Sequence, residues 1–140
     1  MVYEMKLNSE PFEKIRSGRK TVELRLYDEK RRRIEIGDDI IFSRISKENE
    51  RIAVRVNALL RFSSFEELFK MIPPEKCGNE PDTSPEKAAL GMRKYYSEEN
   101  EKKYGVVGIG VSLVDLKEAL ALQEQIREAE FEYFFPDGMK

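Results

Sequence analysis

The segment SGRKTVELRL, residues 17–26, marks the point where a helix gives way to a strand. Gly18 stands where a helix that begins near Pro11 is expected to end, since glycine readily adopts the left-handed conformation that closes helices. From Thr21 onward apolar and polar residues alternate, which is the period of a β-strand. The pattern predicts a strand with Val22, Leu24 and Leu26 on one face and Thr21, Glu23, Arg25 and Tyr27 on the other.

Other segments predict the strands and helices around this one. Strand patterns cover residues 2–7, 40–42, 51–62 and 106–114, and helix patterns begin near Pro11, Ser63-Ser64, Ser84-Pro85 and Ser97. Along 51–62, alternation places Ile52, Val54, Val56, Ala58, Leu60 and Phe62 on one face. Short strands joined by turns, with helices between them, favour an α+β fold that is mainly β over an alternating βαβ sheet. We predict a small β-barrel with inserted short helices and a C-terminal helix over 116–135.

Length and composition limit the possible architectures and chemistries. The chain has 140 residues, the size of one domain, and we divide it into a domain at 1–114 and an acidic helical extension at 115–140. A single cysteine and the lack of histidine exclude histidine-containing zinc sites and a Ser-His-Asp triad. No apolar run approaches the roughly 20 residues of a membrane span, and the first residues do not resemble a signal peptide. We therefore expect a cytoplasmic protein with no membrane partner.

The net charge of −2 conceals two segments of opposite sign. Residues 14–33 contain nine cations against three carboxylates, a local net charge of +6. Residues 115–140 contain seven carboxylates against three cations, a local net charge of −4. Because the position of charge decides what a surface attracts, the first segment favours an anionic partner.

The basic segment also carries a spaced motif. Gly18-x-Lys20-x-x-Glu23-x-Arg25 follows a helix, Ile36-Gly37-Asp38-x-Ile40 marks a turn and a strand, and Lys103-Tyr104-Gly105-Val106 precedes a last strand. In order and spacing these elements resemble the ASCH (activating signal cointegrator homology) domain family, a relative of the PUA RNA-binding barrel, over about Val2 to Val114. The resemblance implies a PUA-like barrel with a cleft beside the motif strand, and RNA or a nucleotide-containing ligand as the partner.

RNA binding through this cleft is the function that the sequence favours. The expected ligand-binding residues are Gly18, Arg19, Lys20, Thr21, Glu23, Arg25, Tyr27, Arg31 and Arg32. Cations contact phosphates, and tyrosines stack on unpaired bases, so Tyr95, Tyr96 and Tyr104 are further candidates. Lys20 is the sharpest candidate, because a lysine beside a carboxylate either anchors a phosphate or, when partly desolvated, acts as a base.

A metal-independent hydrolase that acts on RNA or a modified nucleoside is the alternative. One branch of the resembled family deacetylates acetylcytidine with the motif lysine, a threonine three residues later and a distant glutamate. Here Glu23 occupies that position, and Thr21 stands next to Lys20 instead. Another branch cuts single-stranded RNA, for which Lys20 and Glu23 with Tyr96 or Ser97 are the catalytic candidates. The scattered carboxylates show no metal-ligand spacing, and no cofactor is assigned.

Structural roles compete with these assignments. Glu23 and Arg25, two residues apart on one strand face, form an ion pair in this interpretation. Residues 30–33 form a solvated turn, and Cys77, in a predicted loop at 75–83, has no histidine to activate it. A protein-interaction role is the third hypothesis. The last ten residues contain Phe131, Tyr133, Phe134 and Phe135, so the C-terminal helix either packs on the barrel or binds a second copy or a protein partner.

Overall fold

The computed structural model describes residues 1–134. Its strands are β1 (Val2–Leu7), β2 (Val22–Leu26), β3 (Asp39–Arg44), β4 (Lys47–Phe62) and β5 (Val106–Val114). They form a five-stranded sheet in the order β1-β3-β4-β5-β2, in which β1 and β3 are parallel and the other neighbours antiparallel. The two strands nearest the N-terminus are therefore the two edges of the sheet.

Five helices connect or follow the strands: α1 (Ser9–Arg16), α2 (Phe65–Met71), α3 (Pro85–Gly91), α4 (Glu98–Tyr104) and α5 (Leu116–Phe134). Short 3-10 turns lie at Arg31–Arg33, Pro74–Cys77 and Met92–Lys94, and the second of them overlaps the start of the predicted loop. The hydroxyls of Ser64, Ser84 and Ser97 each accept a hydrogen bond from the backbone N–H three residues later, at 3.1 Å, as expected of N-caps. The predicted helix end at Phe135 lies outside the described residues.

The N-terminus of α1 differs from the prediction. The helix begins at Ser9, two residues before Pro11, and Asn8 is its N-cap residue. Pro11 is tolerated there because the first turn of a helix has no intrahelical partner for its N–H groups.

The sheet curls into a half-barrel whose concave face holds the larger core cluster. Phe12 and Ile15 of α1 pack there against Phe42, Val54 and Ile109 of the sheet. A second cluster joins the apolar face of β2 to α2 and α3. The predicted α+β fold, a curled sheet with inserted short helices and a C-terminal helix, is confirmed, and helical residues somewhat outnumber strand residues because α5 alone has 19.

A β-bulge in β4 changes which side chains of this strand face the core, so the predicted face is wrong beyond Val56. Val56 pairs with Val111 and Ala58 with Gly110, so Asn57 is an extra residue that is paired with no residue of β5 in the strand register. One extra residue inverts the alternation of side chains beyond it. Leu60, predicted to face the core, is consequently 43% exposed, and Leu59 packs against the core instead.

The first two turns of α5 cover the outer face of the sheet. Ala119 is buried, and Leu116 and Leu120 pack against the same cluster, which includes Ile41 of β3. Ala129, farther along this helix, is exposed. Within residues 1–134, no helix is both long enough and apolar enough to cross a bilayer.

Candidate functional site

A cleft of about 350 Å³ lies between the two edge strands of the half-barrel. Lys6 and Leu7 of β1 line one side, and Glu23 and Arg25 of β2 line the other. The Arg25 side chain spans the gap, because its Nη2 donates a hydrogen bond to the backbone carbonyl of Lys6 at 3.0 Å. Helix α1, the loop at 77–80 and the segment 91–96 complete the walls.

A buried ion network forms the β2 side of the cleft. The Lys20 Nζ lies 2.7 Å from the Glu23 Oε1, and the Arg25 Nε donates to the Glu23 Oε2 at 2.8 Å. The backbone positions these groups: Gly18 has a φ of +84°, and the Lys20 N–H then bonds to the Lys14 carbonyl at 2.9 Å. The pairing of Glu23 with Arg25 agrees with the structural interpretation of the motif, and all three side chains also line the cleft.

The electrostatics of this network favour its charged form. Burial raises the pKa of Glu23, but the charges of Lys20 and Arg25 lower it more, and its pKa lies below the usual range. Burial lowers the pKa of Arg25, whereas the Glu23 carboxylate raises it above its ordinary value. Two cations thus share one carboxylate. Lysine has three donors and arginine five, so the network has more donors than its own acceptors can use.

Two tyrosines lie beside the network, as different parts of the cleft wall. The Tyr96 ring stacks on Phe65, with centroids 5.7 Å apart, and burial raises the pKa of its phenol. Tyr95 is 47% exposed, and the Lys94 Nζ lies over its ring, 5.1 Å from the centroid. One of the adjacent tyrosines therefore packs inward, and the other offers a face to solvent at the cleft.

Several residues of the cleft were not predicted from the sequence. The Lys14 Nζ donates to the Gly78 carbonyl at 2.6 Å and to the Glu10 Oε1 at 2.8 Å. Gly78 has a φ of +98°, and a Cβ there would lie 3.2 Å from the Lys20 Cδ, so glycine lets the loop approach the lysine stem. Cys77 is buried beside the network, and burial raises the pKa of its thiol to about 12. The sequence predicted a loop at 75–83, with no signal that placed this loop beside Lys20.

The other predicted site residues lie elsewhere. Arg19 and Thr21 are exposed and do not line the cleft. The Ser97 hydroxyl caps α4 and is not a lining group, which leaves it away from the predicted catalytic set. Tyr27, Arg31 and Arg32 lie beyond the C-terminal end of β2, outside the cleft. Among residues 1–134, no three His, Cys, Asp or Glu side chains come together in a way that could hold a metal ion.

A protein-family model and several solved structures match this chain. The family model of the ASCH domain matches residues 5–115. The crystal structure of hypothetical protein PH0355 is 40% identical, with a TM-score of 0.71, over 81% of this chain and 100% of that one. The solution NMR structure of protein PF0455 from Pyrococcus furiosus is 37% identical, with a TM-score of 0.63, over 82% of this chain and 99% of that one. No curated protein matches the chain significantly.

Proposed function

The chain belongs to the ASCH domain family, and on that basis we propose that the cleft between β1 and β2 binds one nucleotide of single-stranded RNA. The observation that carries this proposal is the buried network of Lys20, Glu23 and Arg25 in the wall of a cleft.

The charge of the network favours an anionic ligand. Buried charges are stable only when they are paired, and here two cations share the single carboxylate of Glu23. A phosphate group supplies the missing negative charge and accepts several charge-assisted hydrogen bonds at once. Arginine is suited to this role because its donors form a planar fork that matches phosphate oxygens. Lys20 and Arg25 therefore form the proposed phosphate contact.

The size and the aromatic wall favour a single nucleotide over a duplex. The volume of about 350 Å³ lies near the lower end of small-molecule sites, which span roughly 300–1,000 Å³. Tyr95 is partly exposed and lines the cleft, so its ring offers a surface on which an unpaired base stacks, and such contacts contribute roughly 1–3 kcal/mol. Bases within a duplex are already stacked and have no free face for this tyrosine.

Binding without chemistry is the form of the proposal that the contacts support. The Lys20 Nζ is engaged by the Glu23 carboxylate 2.7 Å away. The Ser97 hydroxyl is engaged in capping α4. Two of the groups expected of a hydrolase therefore have structural partners.

Fluorescence anisotropy with a labelled mixed-sequence RNA octamer tests the proposal. Lys20→Met and Arg25→Met should each weaken binding by about 10- to 100-fold, the range for a lost charge-assisted hydrogen bond of roughly 1.5–3 kcal/mol. Lys70→Met is the matched control, because this lysine lies on α2 away from the cleft. Wild-type affinity in a folded Lys20→Met variant would overturn the proposal. RNA cleavage in the same reactions, lost with Lys20→Met, would assign the cleft to a hydrolase instead.

A further inference from the structure

Beyond the cleft, two arginines lie over one tyrosine at the C-terminal end of β2. The Cζ of Arg32 lies 4.7 Å from the centroid of the Tyr27 ring, and the Cζ of Arg61 lies 5.3 Å from it. The Arg32 Nε also donates to the Tyr27 carbonyl at 3.1 Å, and the Arg61 Nη1 lies 3.5 Å from the Tyr27 hydroxyl. We call these three residues the arginine clamp. Arg61 comes from β4, and no sequence pattern connected it with the motif strand.

The arginine clamp lies in a region of positive charge. Lys30, Arg32, Arg33 and Arg61 are all exposed. Two of the four carboxylates of the same loop are already paired, Asp28 with Arg31 and Asp38 with the N-terminal ammonium, both at 3.0 Å. Glu29 and Glu35 are exposed, so the exposed cations outnumber the exposed carboxylates. Because both clamp guanidiniums are held against an aromatic ring, they lose less conformational freedom on binding than free arginines do.

The clamp continues the line of the cleft. Glu23 and Arg25 lie on one face of β2, and Tyr27 follows the last residue of that strand, two residues beyond Arg25. Residues two apart in an extended chain are separated by about 6.6 Å. The turn that carries Arg32 also lies near Tyr96 of the cleft wall. Two residues of this turn, Arg31 and Asp28, are close enough to influence the pKa of the Tyr96 phenol. An extended strand that leaves the cleft along β2 therefore reaches the clamp.

We propose that the arginine clamp binds backbone phosphates of the RNA strand whose nucleotide occupies the cleft. This inference rests on the proposed function of the cleft and adds a second contact outside it. Guanidinium forks recognise phosphate oxygens, and the continuity with a nucleotide-sized cleft favours RNA over an acidic protein as the partner.

The dependence of affinity on ligand length tests the clamp separately from the cleft. The probes are an RNA octamer of mixed sequence and a mixture of the four nucleoside monophosphates. Each phosphate contact on a single strand contributes about 0.7 to the slope of log K against log salt. The double variant Arg32→Gln/Arg61→Gln should therefore lower the slope for the octamer by about 1.4, equivalent to about 25-fold in affinity at 0.1 M salt relative to 1 M. Affinity for the monophosphates should not change.

Two further variants control for charge and folding. Lys47→Gln/Arg51→Gln removes the same charge from the other end of β4, where both side chains are exposed, and should leave octamer binding unchanged. Arg32→Lys/Arg61→Lys keeps the charge and should retain most of the salt slope.

Four results would overturn the clamp. If the octamer binds no more tightly than the monophosphates, the clamp is overturned and the cleft proposal stays intact. The same conclusion holds if Lys47→Gln/Arg51→Gln loses as much octamer affinity as Arg32→Gln/Arg61→Gln. Poly-glutamate that binds as tightly as RNA, with the same loss in the double variant, would assign the clamp to an acidic protein. Wild-type protein that binds neither RNA probe would overturn the cleft and the clamp together.

Discussion

Replacing Glu23 by glutamine should strongly destabilise the folded protein, because it leaves two buried cations without their carboxylate. The side chains of Lys20, Glu23 and Arg25 are only 9%, 4% and 13% exposed, so solvent screens the network little. Removing one partner of a buried ion pair costs roughly 3–5 kcal/mol. Replacing all three by apolar residues, as in Lys20→Met/Glu23→Leu/Arg25→Met, should be neutral or stabilising in comparison and should abolish RNA binding.

The pH dependence of this effect follows from the lowered pKa of Glu23. Its ordinary value is 4.5, and the folded protein lowers it, so the unfolded chain takes up the proton first as the pH falls. The contribution of Glu23 to stability is therefore complete above pH 4.5 and is lost as the pH falls through the lowered pKa. The difference between wild type and Glu23→Gln should be constant from about pH 5 to 8 and shrink on further acidification.

Urea unfolding followed by circular dichroism measures this difference at each pH. Glu48→Gln is the matched control, because Glu48 pairs with Lys6 at 2.8 Å while both side chains are about two thirds exposed, at 64% and 65%. Exposed pairs contribute little, so the control should unfold like the wild type. Equal stability of Glu23→Gln and Glu48→Gln would refute the reasoning, as would a difference that grows as the pH falls.

Three further predictions concern single residues. Ser97→Ala should lower the free energy of unfolding by about 1 kcal/mol through the lost N-cap and leave RNA affinity unchanged; a loss of affinity would return Ser97 to the site. The Cys77 thiol, with a pKa of about 12, should react with iodoacetamide at neutral pH far more slowly in the folded protein than in urea, and equal rates would contradict its burial. Gly110→Ala should cost about 1–3 kcal/mol, because its Cβ would lie 2.9 Å from the Ala58 Cβ in the bulge, whereas Gly91→Ala meets nothing within 4 Å; equal melting temperatures for the two variants would argue against that clash.

The alternation of apolar and polar residues predicted strands correctly where the strand is regular. The first strand at Val2–Leu7 and the last at Val106–Val114 have the predicted bounds. The bulge at Asn57 could not be predicted in this way, because it depends on Gly110 across the sheet. A side chain at Gly110 would collide with Asn57 and Ala58, so the residue that leaves room for the bulge is on β5, whereas the bulge itself is on β4.

In the candidate site, too, the residues that are close in sequence were predicted, and those brought in by long-range contacts were not. Lys20, Glu23 and Arg25 were predicted together because they lie within six residues at one helix-to-strand junction. Lys14 and Gly78 join them through a hydrogen bond between residues 64 positions apart, which no local pattern encodes. The prediction placed all the ligand-binding residues in one cleft, whereas Tyr27 comes directly after β2 and lies outside the cleft, against Arg32.

The position of the cleft follows from the incomplete closure of the barrel. In a closed barrel, β1 and β2 would pair through backbone hydrogen bonds, and no ligand could enter between them. Here the Arg25 side chain donates to the Lys6 carbonyl across that gap, so one guanidinium partly replaces the missing strand pairing. The same guanidinium pairs with Glu23, which also holds Lys20. Because one carboxylate orients both cations, the groups that stabilise the edge of the sheet are also the groups that attract an anion, and the motif spacing serves the fold and the site together.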